Sequence, residues 1–221
     1  MIKIENLTKS YRTPQGRHYV FKDLNIEIPS DKSVALIGRN GAGKSTLLRM
    51  IGGIDRPDSG SITTDKTISW PVGLSGGFQG SLTGRENVKF VARLYSRTEE
   101  LKEKVEFVEE FAELGKYFDM PLKTYSSGMK SRLGFGLSMA FYFDYYLVDE
   151  VMAVGDAKFK NKCDFIFKKK HNESCFLMVS HSLNSLKNFC NSALYIGRNN
   201  EVEYMESVDD AIKKYINHEG L

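Results

Sequence analysis

Eight consecutive residues, Gly38 to Ser45, restrict the fold of this chain more than any other feature. They read Gly-Arg-Asn-Gly-Ala-Gly-Lys-Ser, a complete G-x-x-x-x-G-K-S phosphate-binding loop. The loop follows Val34–Ile37, a short branched run typical of a buried strand, and precedes Thr46–Ile51, which has helical composition. The sequence therefore predicts a strand, a phosphate loop and a helix in succession, as in an α/β P-loop core.

Each part of this loop has a role in holding phosphate. Glycines let the backbone N–H groups turn towards the phosphates, and the helix places its positive N-terminus beside them. Lys44 can reach the β- and γ-phosphate oxygens, and Ser45 can ligate Mg²⁺. The predicted nucleotide-binding residues of this segment are Gly38, Arg39, Asn40, Gly41, Ala42, Gly43, Lys44, Ser45 and Thr46.

An acidic pair further along the chain can complete a metal site. Asp149 and Glu150 end the apolar run Tyr145–Val148. The first carboxylate of such a pair can hold Mg²⁺, and the second can orient or deprotonate the water that attacks the γ-phosphate. Isolated Asp-Glu pairs also end strands as solvated turns, but the phosphate loop upstream favours catalysis. We predict Asp149 as a metal ligand with Ser45, and Glu150 as the general base.

Three further segments lie in a fixed order around these features. Gln79 follows the phosphate loop, residues 125–129 (Tyr-Ser-Ser-Gly-Met) open a helix rich in small residues, and His181 follows a strand at 174–180. This order resembles the nucleotide-binding subunit of an ATP-binding cassette (ABC) transporter over nearly the whole chain. The resemblance implies ATP and Mg²⁺ as cofactors and a RecA-like P-loop NTPase core.

Hydrophobic patterns predict the remaining architecture. Ile2–Ile4 and Leu24–Ile28 alternate with period two, which predicts an N-terminal antiparallel β subdomain. From about 85 to 140, apolar residues recur at three- and four-residue steps, which predicts a helical subdomain inserted into the α/β core. The whole chain, 1–221, is therefore interpreted as a single ABC nucleotide-binding domain.

The resemblance also implies roles for individual residues. Gln79 corresponds to the glutamine that meets the metal and the γ-phosphate beside the groove for a membrane subunit, and His181 to the histidine that contacts the γ-phosphate. Asp156 corresponds to the loop aspartate that crosses the dimer interface. Tyr11 corresponds to the aromatic residue that stacks on adenine, a contact worth about 1–3 kcal/mol, and Tyr19 is an alternative for this role.

The Ser-Gly segment matches the family signature L-S-G-G-Q at two positions. Ser126 and Gly128 agree with the signature, while Tyr125, Ser127 and Met129 replace its leucine, second glycine and glutamine. In the family this segment contacts the γ-phosphate held by the other copy of the subunit. The resemblance therefore implies a homodimer of ATPase subunits.

Composition predicts a compact cytosolic enzyme subunit that does not enter the membrane itself. The net charge of +3 is too small to predict a nucleic-acid partner. Apolar runs fall far short of the roughly 20 residues that span a bilayer, and the start of the chain is polar, unlike a secretory signal. Three widely spaced cysteines predict reduced thiols. The resemblance implies a peripheral subunit on the cytoplasmic face of the bacterial inner membrane, paired with an integral membrane permease.

The local sequence around Gln79 and around the Ser-Gly segment narrows the resemblance to one group of exporters. Residues 68–71, 76–87 and 125–129 are similar to the ATPases of bacterial capsular polysaccharide exporters, with the polysialic acid type nearest. This implies polysaccharide export driven by ATP hydrolysis, with the polysaccharide handled by the membrane subunits. An ATPase of an O-antigen or teichoic acid exporter is the alternative within the family.

Other functions are less favoured by the sequence. Asn161–Asp164 spells N-K-x-D, which reads guanine in GTPases, but it lies in a charged, surface-like stretch instead of at the end of a buried strand. An ABC ATPase of DNA repair would carry long coiled coils between Gln79 and the signature. Ribosome-acting members usually carry two cassettes. This chain shows neither feature.

Overall fold

A computed structural model describes residues 1–73, 77–149, 157–197 and 201–219 of the chain. These residues form two compact units. The first unit contains residues 1–71 and the segments that begin at Phe143 and Ser174. The second contains residues 72–142 and the segment that ends at Glu173. Within the described ranges, no helix combines the length and apolar character needed to cross a bilayer.

The described part of the chain contains β-strands, α-helices and short 3₁₀ turns. The strands are β1 (Ile2–Thr13), β2 (Gly16–Ile28), β3 (Val34–Gly38), β4 (Ser59–Thr64), β5 (Ile68–Pro71), β6 (Tyr145–Asp149), β7 (Cys175–Val179), β8 (Ser192–Ile196) and β9 (Val202–Met205). The helices are α1 (Lys44–Ile51), α2 (Gly84–Tyr95), α3 (Leu101–Ala112), α4 (Ser127–Met139), α5 (Ala157–His171), α6 (Leu183–Phe189) and α7 (Val208–Glu219). Short 3₁₀ turns lie at Thr98–Glu100, Gly115–Asp119 and Leu122–Thr124.

The first unit contains two sheets. A three-stranded antiparallel sheet has the order β2-β1-β4, which confirms the predicted N-terminal β subdomain. A six-stranded sheet has the order β5-β6-β7-β3-β8-β9 and is parallel except for the edge strand β9. Residues 34–37, 145–148 and 175–179 of its inner strands are apolar because parallel sheets are covered on both faces. The predicted α/β P-loop core is confirmed.

Strand direction determines where the functional residues meet. The strands β3, β6 and β7 are parallel neighbours, so their carboxyl ends lie at one edge of the sheet. Ligands of open α/β sheets bind at this edge. The phosphate loop follows β3, Asp149 ends β6, and His181 follows β7. Topology alone therefore assembles three segments that are far apart in the sequence.

Aromatic stacking and a lysine join three helices of the second unit. Phe111 of α3 has its ring centroid 5.8 Å from that of Phe135 in α4 and 5.5 Å from that of Phe159 in α5. Lys162 of α5 donates hydrogen bonds to the carbonyl oxygens of Glu110 and Phe111, near the end of α3. The N-K-x-D tetrapeptide thus lies inside a helix that packs on its neighbours, a position unlike that of a guanine-reading loop.

Tyr125, which replaces the leucine of the family signature, occupies a space that a glycine leaves open. Its side chain is buried, and its hydroxyl donates a hydrogen bond of 2.6 Å to the carbonyl oxygen of Tyr117. Burial raises the pKa of Tyr125 to about 12. A Cβ atom on Gly84, at the start of α2, would lie 2.3 Å from the Tyr125 hydroxyl oxygen. The two residues are therefore sterically matched.

We expect Gly84→Ala to destabilise the protein by about 1–3 kcal/mol, the usual cost of overpacking a well-filled site. Urea unfolding measures this free energy, with Gly80→Ala as the matched control because a Cβ there meets nothing within 4 Å. Adding Tyr125→Phe to Gly84→Ala removes the clashing oxygen, so the two changes should cost less together than the sum of their single effects. Equal stability of Gly84→Ala and Gly80→Ala would contradict the steric match.

Candidate nucleotide-binding site

The phosphate loop connects β3 to α1 through glycines that no other residue can replace without strain. Gly41 and Gly43 have φ values of 83° and 96°, in the left-handed region that favours glycine. A Cβ atom on Gly43 would lie 2.4 Å from a methyl carbon of Val20, and one on Gly38 would lie 2.7 Å from the carbonyl oxygen of Ile196. Backbone conformation and close packing therefore both require this glycine pattern.

The N-terminus of α1 concentrates hydrogen-bond donors at the phosphate loop. They are the backbone N–H groups of its first turn and the Lys44 ammonium group. The first helical hydrogen bond runs from the Leu47 N–H to the Gly43 carbonyl at 2.8 Å. The N–H groups of the first turn therefore have no intrahelical acceptor, and no side chain caps the helix. The Lys44 ammonium donates to the carbonyl oxygens of Gly38 and Arg39 at 2.7 and 2.8 Å. The positive groups that an anion needs are concentrated at this loop.

Two of the three predicted metal ligands, Ser45 and Asp149, are in direct contact. The Ser45 hydroxyl donates a hydrogen bond of 3.1 Å to a carboxylate oxygen of Asp149, and both side chains are half-buried. No group of three His, Cys, Asp or Glu side chains suited to a metal occurs among the described residues. Mg²⁺ needs no such group, because it is commonly held by one carboxylate, substrate phosphates and water. This hydroxyl and carboxylate beside the phosphate loop fit Mg²⁺.

His181 lies close to the phosphate loop. With Gly38, Asn40 and Lys44 it lines a cleft of about 180 Å³. The imidazole is exposed, at the point where the chain leaves β7. Its position agrees with the predicted approach to a γ-phosphate bound at Lys44.

A larger cleft of about 430 Å³ joins the phosphate loop to the β1–β2 hairpin. It is lined by Tyr11, His18, Val20, Asn40, Gly41, Gly43, Lys44, Ser45, Thr46 and Val179. Tyr11 of β1 pairs directly with His18 of β2, so their side chains lie on one face of the hairpin. Tyr19 is one residue further on, so it faces away and lines a separate cleft with Lys22 and Glu201. Of the two tyrosines, only Tyr11 borders the phosphate loop.

A partly buried ion pair between Lys9 and Asp55 contacts the hydroxyl group of Tyr11. The Lys9 ammonium donates to one carboxylate oxygen of Asp55 at 2.6 Å, and the Tyr11 hydroxyl donates to the other at 3.1 Å. The hydrogen bond to Asp55 raises the pKa of Lys9, and the same bond lowers the pKa of Asp55. Both groups are therefore charged at neutral pH.

Gln79 belongs to the second unit, where a buried asparagine fixes its backbone. The Gln79 N–H donates to the Asn87 side-chain oxygen at 2.8 Å, and the Asn87 amide donates back to the Gln79 carbonyl at 3.1 Å. Asn87 also donates to the Thr83 carbonyl. Because the backbone is held in this way, the exposed Gln79 side chain extends from a defined point.

The Ser-Gly segment, also in the second unit, forms an open helix N-terminus. Ser126 caps α4 by accepting a hydrogen bond from the Met129 N–H at 3.3 Å, and the helix begins at Ser127, one residue before Gly128. Ser126 and Ser127 are exposed. A Cβ atom on Gly128 would meet only the Ser126 hydroxyl oxygen, at 3.9 Å. Packing against the described residues therefore does not explain the glycine at 128.

Comparison with known proteins identifies the family. The sequence model of the ABC transporter family matches residues 21–153, more than half of the chain. The chain belongs to this family. It is 77% identical over its full length to the polysialic acid transport ATP-binding protein KpsT of Escherichia coli, of which it covers 99%. It is 42% identical to the capsule polysaccharide export ATP-binding protein CtrD of Neisseria meningitidis serogroup B, over 97% of this chain and 98% of that protein.

A solved structure shows the same fold. The ATP-binding subunit of an ABC transporter superposes with a TM-score of 0.77 at 20% identity, covering 100% of this chain and 95% of the other. As a member of the ABC transporter family, the chain is an ABC-type ATPase. In the first unit, the phosphate loop contacts Asp149 through Ser45 and shares a cleft with His181.

Two residues that lie beside the predicted site residues were not predicted from the sequence. His18 lies opposite Tyr11 in the nucleotide cleft, and the pairing register of the hairpin is the signal that finds it. Asn87 is 3% exposed although it is polar, and an amide on the buried face of an amphipathic helix marks such an anchor. Glu150 and Asp156 lie outside the described residues, so their roles remain predictions.

Proposed function

We propose that this chain is the ATP-hydrolysing subunit of a transporter that exports a capsular polysaccharide of the polysialic acid type across the bacterial inner membrane. The contact between Ser45 and Asp149 carries the hydrolytic part of the proposal. It joins the phosphate loop to an acidic strand end, as a metal-assisted phosphate reaction needs. The 77% identity to a polysialic acid transport protein over the full chain supports the substrate class.

Each residue of the site has a defined task in this proposal. Lys44 and the first-turn N–H groups of α1 bind the β- and γ-phosphates. Ser45 and Asp149 would hold Mg²⁺, with Gln79 as a further ligand, and bound Mg²⁺ would supply positive charge to offset that of the phosphates. Glu150 orients or deprotonates the attacking water, while His181 contacts the γ-phosphate from the second cleft.

Adenine is placed by the hairpin, not by the phosphate loop. The Tyr11 ring stacks on the base in the cleft that it shares with the loop. The N-K-x-D segment is helical and therefore does not form a guanine-reading strand end. We therefore expect ATP to bind more tightly than GTP in a direct titration of both.

Two copies of the chain complete the site. The exposed N-terminus of α4, with Ser126 and Gly128, suits a γ-phosphate that the phosphate loop of the other copy holds. Asp156 crosses between the copies. The dimer works at the cytoplasmic face of the inner membrane on an integral permease, which handles the polysaccharide.

We expect Gly128→Asp to block ATP turnover while ATP affinity stays within about twofold of wild type. The new carboxylate lies at the helix N-terminus that must receive a phosphate from the other copy, so like charges repel. Gly128→Ala is the matched control, because the space around Gly128 accepts a methyl group. Mixing Gly128→Asp with Lys44→Ala subunits should restore one composite site and part of the activity. A strict monomer at saturating ATP, both alone and with the permease, would contradict the shared site.

Complementation tests the substrate class. In a polysialic acid-producing strain that lacks its own ATP-binding subunit, this chain should restore surface polysaccharide, and its Lys44→Ala variant should not. Parallel strains that lack the ATP-binding subunit of an O-antigen or a teichoic acid exporter provide the controls. Restoration in one of those strains, but not in the polysialic acid strain, would transfer the chain to the other exporter class.

A further inference from the structure

The burial pattern of β1 contains one charged residue where an apolar one is expected. Ile2, Ile4 and Leu7 are buried on the core side of the strand, and Lys9 follows them with 8% of its surface exposed. A buried charge without partners is costly, so its presence requires compensation. Lys9 obtains it from the Asp55 carboxylate and from the Arg56 carbonyl oxygen, at 2.6 and 2.7 Å. A stable strand needs no such arrangement, because an aliphatic side chain fills the same position without it.

The Lys9–Asp55 ion pair is in direct contact with Tyr11. Asp55 accepts from Lys9 with one carboxylate oxygen and from the Tyr11 hydroxyl with the other. The Lys9 ammonium also lies 5.2 Å from the centroid of the Tyr11 ring, within the range of a cation–π contact. Tyr11 itself is 41% exposed and borders the nucleotide cleft. The ring is therefore held at its hydroxyl and along one side, while the remainder stays accessible.

The loop that carries Asp55 is fixed to the phosphate-binding helix. The N–H groups of Ile54 and Asp55 both donate to the Arg49 carbonyl in the last turn of α1, at 3.0 and 3.3 Å. Asp58 in the same loop accepts from the Ser10 N–H at 2.9 Å, next to Tyr11. The N-terminus of α1 forms the phosphate site, and its C-terminus fixes the support of the Tyr11 ring. One short helix therefore sets the position of both contacts.

We propose that Lys9 is a positioning residue for the nucleobase: with Asp55 it holds the Tyr11 ring as a preformed platform for adenine, at a separation from the phosphate loop that α1 determines. This inference rests on the proposed stacking of adenine on Tyr11. Fixing a mobile side chain at the moment of binding weakens affinity by roughly two- to tenfold. Because the ion pair already fixes the Tyr11 ring in the folded protein, the ring loses little further freedom when the base binds.

Two ligands separate a positioning role from a general structural one. MgATP contains the base and the phosphates, whereas magnesium tripolyphosphate contains only the phosphates. We expect Lys9→Met to weaken MgATP binding by roughly two- to tenfold, with tripolyphosphate binding unchanged within about twofold. Lys3→Met is the matched control, because Lys3 lies on the same strand and pairs with Glu5 at the surface. Isothermal titration of the full chain measures all of these affinities.

A double-mutant cycle with Tyr11 decides whether Lys9 acts through the ring. Tyr11→Ala should weaken ATP binding by roughly 5- to 150-fold, the worth of one stacked base. In the Tyr11→Ala background, Lys9→Met should have no further effect on ATP affinity, since there is no ring left to position. If Lys9→Met fails to fold, Asp55→Asn serves in its place, because it keeps the shape and removes the charge.

Several outcomes overturn the inference. Equal loss of ATP and tripolyphosphate affinity in Lys9→Met would show general damage to the site. The same fold-loss in the wild-type and Tyr11→Ala backgrounds would show that Lys9 acts independently of the ring. An effect of Tyr11→Ala without any effect of Lys9→Met would overturn the positioning role alone. Unchanged ATP affinity in Tyr11→Ala would overturn the proposed stacking together with the inference, and absence of ATP binding in the wild type would overturn the proposed function.

Discussion

Lys44→Ala is expected to lower MgATP turnover by roughly 10²- to 10⁴-fold. Lys44 ends in an ammonium group at the mouth of the phosphate loop, where it donates to the Gly38 and Arg39 carbonyl oxygens. When phosphate binds, the same group can compensate the charge on the β- and γ-oxygens. Removing one partner of such a desolvated charge pair costs about 3–5 kcal/mol, which corresponds to the stated loss in rate.

A control variant has to show that the effect comes from removing the charge at the phosphate loop, since removing a lysine elsewhere should have no such effect. Lys213→Ala removes an exposed lysine that pairs with Asp210 on the same helix, so it should leave turnover unchanged. Thermal unfolding of both variants checks that the loop remains folded, because Lys44 also bonds within the loop. Wild-type turnover in Lys44→Ala, with the protein folded, would remove the phosphate loop from the proposed site.

The parts of the site that the sequence predicted depend on local patterns. The residues from Gly38 to Ser45 must follow one another for the loop to exist, because left-handed glycines and a helix N-terminus are local requirements. Asp149 could be predicted because its strand is a continuous apolar run that ends in acid. Parallel pairing then brings the two segments to one edge of the sheet, which is a property of the fold class.

The parts that were missed depend on register between distant segments. His18 faces Tyr11 only because β1 and β2 pair in one register, and that register shifts at Leu7, Lys9 and Ser10. Tyr19 stayed open as an alternative to the predicted Tyr11 because sequence alone does not place such shifts. The Lys9–Asp55 pair joins a strand to a loop beyond α1, and no periodicity connects the two. Patterns within one element are readable from sequence, whereas contacts between elements require the structure.

Glu150→Gln is expected to retain ATP binding and to lose roughly 10²- to 10⁴-fold in hydrolysis, the usual worth of general-base catalysis. Glu150 directly follows Asp149, the last residue of β6, whose carboxylate contacts Ser45 beside the phosphate loop. A general base has to lie within reach of the water that attacks the γ-phosphate, and Glu150 is the acidic residue next along the chain from this contact. The amide keeps the size and hydrogen-bonding capacity of the side chain but cannot take up a proton.

Slow hydrolysis should also make the two-subunit state visible. With ATP bound and the reaction nearly stopped, both composite sites stay closed, so sedimentation of Glu150→Gln with MgATP should show a dimer that the wild type forms only transiently. Glu99→Gln, in a 3₁₀ turn of the second unit, is the control and should match wild type in rate and in mass. An unimpaired rate in Glu150→Gln would assign the base to another residue, with His181 next because it borders Lys44 in the second cleft. His181→Ala would then have to show the loss expected here of Glu150→Gln.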